Sequence, residues 1–292
     1  MSKGLLDPKV DFVFKNIFGS PNHPEILISF LNATLKAKNK IVNVDIKKTD
    51  IEKQYIEDKY SRLDVKATTS NDEIINIEIQ LKNENNMVKR SLYYLSKMYE
   101  EQLNEKEDYS KLVRTVCINI LNFKYLKTDN FHTGYRFKEI ESNEELTDIM
   151  EVHFIEIPKL QDSSDEKDML VAWTEFLKDP ESEKVRGLEL SIEEIRQAKD
   201  ELIRMSNDST QRELYDMRAN SLRDKMSELN AAERKGIEKG REEGREEGRK
   251  EGIEEGRKEE KIEIARNMKL SGLDTNTIAK ITNLSEDEID KL

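Results

Sequence analysis

Charged and polar side chains alternate with apolar ones in residues 62–81, RLDVKATTSNDEIINIEIQL. Asp64 lies in the first alternating run, and Glu78 and Gln80 lie in the second. Lys66 follows Asp64 by two residues and Lys82 follows Gln80 by two, so each pair faces one side of a strand. Carboxylate oxygens suit a hard divalent cation, and lysines contact phosphates. The set therefore predicts metal-assisted chemistry on a phosphate; an ordinary solvated strand face is the competing interpretation.

The elements that must position these side chains follow from periodicity. A turn at residues 70–72 separates the two runs, which predicts a β-hairpin with one apolar and one polar face. Apolar spacings of three and four predict helices on both sides of the hairpin, and alternating or continuous apolar runs predict further strands. The predicted helices are residues 11–35 in two pieces, 87–104, 167–178, 191–206 and 210–230, and the predicted strands outside the hairpin are 41–51, 113–121, 134–141 and 151–157.

Several charged residues outside the hairpin are candidates for supporting roles. Asp11 and Lys15 lie four residues apart, hence on one face of the first helix, where they form either a surface ion pair or support for metal or phosphate. Arg90 begins the helix after the hairpin and is a candidate phosphate contact. The three histidines, at positions 23, 132 and 153, have no metal-ligand spacing. Cys117 lies in a buried strand and is predicted to be a small core residue.

Five blocks of sequence resemble the Rpn family, the recombination-promoting nucleases and transposase-like proteins of the PD-(D/E)xK superfamily. They are DFVFKNIFG at 11–19, ILISFLNATL at 26–35, RLDVKA at 62–67, NIEIQ at 76–80 and RSLYYLSKMYEEQL at 90–103. The resemblance is strong over roughly residues 5–125 and extends into the tail. It implies an α/β fold with a restriction-endonuclease-like core, in which helices flank a mixed central sheet, plus an extended α-helical C-terminal tail.

The resemblance also implies an activity, the Mg²⁺-dependent endonucleolytic cleavage of double-stranded DNA, with Mn²⁺ as the alternative ion. In this family's motif, Asp64, Glu78 and the backbone carbonyl of Ile79 would be the metal ligands. The lysine of the superfamily motif is replaced here by Gln80, a neutral side chain that can orient a water molecule but cannot compensate charge. Lys66 either takes over that electrostatic role or is an ordinary solvated lysine.

The C-terminal part of the chain carries a glycine at every fourth position from 236 to 256. Each glycine costs a helix about 1 kcal/mol relative to alanine, and pairs of opposite charge offset only part of this. The segment is therefore predicted to be either a flexible charged spacer or a helix that associates with a second copy. Residues 262–292 predict three short helices resembling a helix-turn-helix, with a capping box at Ser285 and Glu288. Without a basic recognition face, a protein contact is the favoured role.

Composition and charge limit which partners and locations remain possible. The 292 residues carry a formal net charge of −12, which argues against nucleic-acid binding by bulk charge but leaves room for a local basic cleft. No apolar stretch is long enough to span a membrane, and the expected location is the cytoplasm. The predicted domains are a nuclease-like domain at 1–160, a helical extension at 161–232, the charged glycine-repeat segment at 233–261 and a helical tail at 262–292.

Two other functions compete with the endonuclease. One is a catalytically silent, nuclease-like interaction protein that assembles through its C-terminal helix, because glutamine in place of lysine is also what lost chemistry would leave. The other is a transposase that joins strands as well as cutting them. The transposase ranks third, because the sequence offers no separate strand-transfer site.

Overall fold

The computed structural model describes residues 4–36, 39–47, 65–165 and 167–292. These residues form nine α-helices: α1 (Asp11–Phe18), α2 (Pro24–Leu35), α3 (Met87–Glu100), α4 (Met169–Lys178), α5 (Glu183–Ser191), α6 (Glu193–Asn207), α7 (Ser209–Leu270), α8 (Thr275–Thr282) and α9 (Glu286–Asp290). The same residues contain six strands: β1 (Val44–Lys47), β2 (Val65–Thr69), β3 (Ile74–Gln80), β4 (Thr115–Leu121), β5 (His132–Lys138) and β6 (Glu145–Glu156).

The strands form one mixed sheet in the order β1-β2-β3-β4-β6-β5. The predicted hairpin pairs β2 with β3 antiparallel, with Val65 opposite Ile77 and Lys66 opposite Asn76. Strand β3 then pairs parallel with β4, which pairs parallel with β6, and β5 returns antiparallel to β6. The central strands β3 and β4 are thus flanked by strands on both sides, as the predicted mixed central sheet requires.

Helices cover both faces of this sheet. Helices α1, α2, α4, α5 and α6 supply the main hydrophobic core together with the apolar face of β3. Trp173 of α4 is fully buried there, with its ring centroid 5.3 Å from that of Phe18 and its indole N–H donating to Ser29 Oγ at 3.2 Å. Helix α3 packs on the opposite face, where Met87 and Leu95 meet Cys117 and other residues of β4 and β6.

The structure differs from the sequence-based elements in three places. Helix α5 was not predicted; Ser182 caps its N-terminus by accepting a hydrogen bond from the Val185 amide, and the helix buries only Val185 and Leu188. Strand β6 begins at Glu145, earlier than predicted, because its first half pairs with β5 while remaining largely exposed. On α3, the apolar spacing predicts Leu92 in the buried stripe with Leu95 and Met98, but Leu92 is 49% exposed, because the helix turns Ser91, Tyr94 and Leu95 toward the sheet.

The chain divides into two compact units, Met1–Leu222 and Arg223–Leu292. Helix α7 begins in the first unit, where Arg212 donates to the carbonyl of Gly4 at 2.8 Å and Arg218 donates to Asp11 at 2.9 Å. The helix continues through all six glycines of the repeat. The glycine-repeat segment is therefore helical in the structure. Its association with a second copy stays a prediction.

The end of the second unit has two of the three short helices predicted from the sequence, α8 and α9, whereas residues 262–270 continue the long helix α7 instead of forming a separate one. Ala265, Ile278, Leu284 and Ile289 form a small buried cluster. Helix α7 is followed by Gly272, whose φ of +83° favours glycine. Asp274 caps α8, and the Ser285–Glu288 capping box begins α9 as predicted.

Candidate active site

The polar face of β3 lies beneath α3 and is not solvated. Ile75, Ile77 and Ile79 point into the main core, so Asn76 and Glu78 point to the other face, where both are fully buried. The interpretation of this face as an ordinary solvated strand surface is therefore wrong for Glu78. A fully buried carboxylate is rare unless it is paired or coordinates a metal.

Arg90 is the charged partner of Glu78. Its Nε donates to Glu78 Oε2 at 3.1 Å, and its guanidinium lies over the Tyr94 ring, 5.2 Å from the centroid. Burial lowers the pKa of Arg90, but the charge of Glu78 and, after it, that of Tyr94 raise it by more, so the net pKa lies above the usual value for arginine. Arg90 therefore stays a cation, and it compensates the Glu78 carboxylate.

Polar side chains continue onto the neighbouring strand beneath the same helix. Asn119 of β4 lies opposite Glu78 in the strand pairing and is fully buried. Its Oδ1 lies 2.8 Å from Ser91 Oγ of α3, and its Nδ2 donates to the carbonyl of His153 at 3.1 Å. Asn119 is thus satisfied on both sides and fixes α3 to the sheet.

Asn76 is different. Its side chain is fully buried, yet neither its Oδ1 nor its Nδ2 hydrogen-bonds to any described residue. Its neighbour on β4 is Cys117, and a thiol is only a weak partner. Burial raises the pKa of that thiol to about 12, and the charge of Glu78 adds to the effect. Cys117 is therefore a core residue, as predicted, and not a thiolate nucleophile.

The other predicted site residues lie around this buried face. Gln80 is the last residue of β3, is partly exposed, and accepts a hydrogen bond from the Asn122 amide through its own carbonyl at 2.9 Å. Lys66 lies on β2 opposite Asn76, and Lys82 lies just beyond the end of β3; both are partly exposed. Asp64, which directly precedes β2 in the sequence, lies outside the described residues.

The structure also shows the surroundings of Asp11 and Lys15. Asp11 begins α1 and pairs with Arg218 at 2.9 Å, and both carboxylate oxygens are used, since the other accepts from the Phe12 amide. Lys15 lies one turn further along the same helix and is partly exposed. A Cβ on Gly19, directly after α1, would lie 3.4 Å from the Val65 side chain at the start of β2. The end of α1 therefore borders the hairpin. The Asp11 carboxylate, in contrast, is occupied by its ion pair with Arg218 of α7.

A second polar cluster lies on the opposite face of the sheet, and no sequence pattern predicted it. His153 on β6 bridges Glu151 at 2.8 Å and His132 of β5 at 2.9 Å, and Arg114 also pairs with Glu151. Gly134 lies against the His153 ring, where an added Cβ would lie only 3.0 Å from Cε1. The positions of the histidines in the sequence did not predict these contacts; alternation along each strand could have placed His132 and His153 on one face, but not on neighbouring strands.

The chemistry of Glu78 fits a hard divalent cation. Carboxylate oxygen is the donor that Mg²⁺ prefers, and this one is buried, with a fixed cation beside it. Within the described ranges, no group of three or more His, Cys, Asp or Glu residues is placed to hold a metal ion. Asp64, which lies outside those ranges, is the residue predicted to complete a metal site with Glu78.

Comparison with known families agrees with this geometry. The family described as PD-(D/E)XK nuclease family transposase matches residues 8–232, more than half of the chain, and the chain belongs to this family. The Rpn/YhgA-like nuclease family, C-terminal HTH domain, matches residues 258–292. The chain is thus an Rpn-type protein of the PD-(D/E)xK class, with a restriction-endonuclease-like fold and a C-terminal helix-turn-helix. No curated protein and no solved structure matches it.

Family membership gives the chain a nuclease- or transposase-like function and makes DNA its expected partner. The motif positions coincide with the buried face described above, since the residue at the E of E-x-Q is Glu78. Among the described residues, none of the helices is long and apolar enough to cross a bilayer.

Proposed function

We propose that this protein is a divalent-metal-dependent endonuclease that hydrolyses phosphodiester bonds in double-stranded DNA, in recombination, mobile-element or defence processes. The observation that carries the proposal is the fully buried, ion-paired carboxylate of Glu78 at the motif position. Removal of such a charge from water costs several kcal/mol, and a bound metal would offset that cost together with the Arg90 ion pair. A DNA substrate also agrees with the cytoplasmic location that the sequence predicts.

Each residue of the site has a proposed task. Glu78, Asp64 and the carbonyl of Ile79 would hold Mg²⁺, or Mn²⁺ in its place. The metal, when bound, would lower the pKa of a water molecule and neutralise charge on the phosphate. Gln80, which lies at the partly exposed end of β3, would orient the attacking water through its amide. Lys66 and Lys82 would attract the DNA backbone, and Lys15 would do so from the end of α1.

Cleavage of supercoiled plasmid tests the proposal. The purified protein should nick or linearise the plasmid with Mg²⁺ or Mn²⁺, and EDTA should stop the reaction. Asp64→Ala and Glu78→Gln should each lower the rate at least about 100-fold, because a metal ligand contributes several kcal/mol of transition-state stabilisation. Glu100→Gln is the matched control, because that glutamate is exposed at the far end of α3; it should cleave like the wild type.

The two competing functions predict different outcomes. A silent interaction protein would cleave with neither metal, and that result would overturn the endonuclease. A transposase would join cut ends to a supplied target DNA, whereas an endonuclease leaves free ends. The helix-turn-helix adds little to DNA binding in this proposal, because α9 carries four acidic residues among its five. Assembly of two copies through the glycine-repeat part of α7 stays a prediction.

A further inference from the structure

The E-x-Q sequence provides no positively charged side chain at the centre of the site. Hydrolysis of a phosphodiester builds negative charge on the phosphate oxygens, and fixed cations aimed at them lower the barrier. Gln80 is neutral and Glu78 is negative, so neither supplies this charge. A fixed side-chain cation that adds to the charge of the metal would come from a residue that the tertiary structure brings to the site.

Arg90 is the cation that the fold places against Glu78. It reaches the carboxylate from α3 through Nε alone, at 3.1 Å. Within the described part of the chain, the two terminal nitrogens, Nη1 and Nη2, donate to no other residue. The side chain is 23% exposed, whereas that of Glu78 is 1% exposed. One edge of the guanidinium is therefore occupied by the carboxylate, and the side chain as a whole keeps partial exposure.

The shape of that second edge matches a phosphate. The Nη1 and Nη2 groups form a planar fork that can donate to two phosphate oxygens at once, which a lysine cannot do. The Tyr94 ring lies under the guanidinium and restricts its orientation. Because Glu78 holds Nε, the fork is positioned before DNA arrives, and little entropy is lost when it binds.

We propose that Arg90 binds the phosphate at the scissile bond through its Nη groups and supplies the positive charge that Gln80 lacks. This inference rests on the proposed nuclease function and names a catalytic residue for it. Glu78 then has two roles, since one carboxylate would serve the metal and position the arginine. Lys66, the other candidate for the charge, is predicted only to assist DNA binding.

Two substitutions separate the charge of Arg90 from its structural contact. Arg90→Gln retains a donor for Glu78 but removes the charge, and its kcat should fall about 100-fold, the loss typical of one transition-state donor. Arg90→Lys retains the charge without the fork, and its kcat should fall about 10-fold. Lys89→Gln is the matched control, because Lys89 is an exposed neighbour on the same helix; its kcat should not change.

A second change tests whether the missing charge is the cause. Adding Gln80→Lys to Arg90→Gln puts a cation back at the motif position, and we expect kcat to recover at least about 10-fold. Mn²⁺ affinity, measured by calorimetry, should stay within about threefold of the wild-type value in both arginine variants, because neither removes a metal ligand. A purely structural arginine would instead lower the melting temperature and the Mn²⁺ affinity together, and Gln80→Lys would not restore kcat.

The possible failures are distinguishable. If the wild type cleaves, Glu78→Gln does not, and Arg90→Gln cleaves at the wild-type rate, the assignment of Arg90 is wrong while the nuclease stands. If Lys66→Gln loses kcat and Arg90→Gln does not, the charge comes from Lys66. If the wild type cleaves with neither Mg²⁺ nor Mn²⁺, the proposed nuclease function is wrong, and the proposed role of Arg90 is wrong as well.

Discussion

At the scale of single residues, the site contains polar side chains that are fully buried. Glu78 is buried with its charge, and Asn76 is buried without a hydrogen bond to any described residue. A buried polar group left without a partner costs about 1–3 kcal/mol. Such groups are kept where they act on a ligand, and Asn76 lies two residues from Glu78 on the same face of β3. If the proposed nuclease function holds, the expected role of this amide is in the reaction rather than in the core.

Asn76→Leu tests this view, because leucine has nearly the same size and no polar atom. We expect the free energy of unfolding to rise by about 1 kcal/mol, since a costly desolvated amide is removed. The rate of plasmid cleavage should fall. Chemical denaturation and a cleavage assay measure the two quantities on one preparation.

Asn119→Leu is the matched control for Asn76. Both amide atoms of Asn119 have partners, Ser91 and the carbonyl of His153, so this substitution should lower the free energy of unfolding by about 1–3 kcal/mol. If Asn76→Leu destabilises the protein as much as Asn119→Leu does, Asn76 is a structural residue and the inference about it fails.

At the scale of elements, the glycine repeat shows how weakly local propensity constrains a helix. Helix α7 runs for 62 residues and includes six glycines. A Cβ added at Gly240 or Gly244 would meet nothing within 4 Å. These glycines are therefore not required by packing within the chain, and each costs the helix about 1 kcal/mol relative to alanine.

We expect Gly240→Ala combined with Gly244→Ala to increase helical content and to raise the midpoint of its thermal loss, as followed by circular dichroism at 222 nm. The stabilisation should be about 1–2 kcal/mol for the pair. Gly272→Ala is the control and should destabilise the C-terminal unit, because the φ of +83° at Gly272 is unfavourable for alanine. Equal effects of the two changes would contradict the helical assignment of the repeat.

At the scale of the whole molecule, charged networks join strands that are distant in sequence. Arg114, just before β4, pairs with Glu73, just before β3, and with Glu151 on β6. Glu151 also accepts a hydrogen bond from His153, which contacts His132 on β5. Four of the six strands are thereby connected through ionisable groups, so the stability of the first unit should depend on pH.

Acid should destabilise the first unit in two steps. Burial, and then the neighbouring His153, lower the pKa of His132 from 6.5 to about 4, although Glu151 and Asp168 oppose this and Lys36 adds to it. The unfolded chain then binds more protons than the folded one, so stability falls as the pH drops from about 6.5 to about 4, by up to about 3 kcal/mol.

Glu151 continues the same trend at lower pH. Burial raises its pKa, but His153 and Arg114 lower it by more, to about 2. Its contribution is lost as the pH falls from 4.5 toward 2. Urea denaturation at a series of pH values measures both steps. His132→Gln should remove the first step and leave the second, and a wild type with constant stability between pH 6.5 and 4 would contradict the assignment.

Much of this structure could be predicted from short-range patterns. Strict alternation predicted the β2–β3 hairpin and the inward direction of Ile75, Ile77 and Ile79. The capping box at Ser285 and Glu288 predicted where α9 begins, and this is confirmed. Helix α5 was missed because it buries only two residues along a mostly polar stretch, so its apolar period is too weak to recognise.

The sequence by itself thus determined the order of the elements, the two faces of β3 and the membership in a nuclease family, because periodicity, capping and motif spacing depend on neighbours within a few positions. Only the tertiary structure decided which charges meet. Arg90 reaches Glu78 across 12 positions, His132 reaches His153 across 21, and Arg218 reaches Asp11 across 207. Such pairs depend on how helices and strands pack in space, and no pattern among neighbouring residues shows which distant residues will meet.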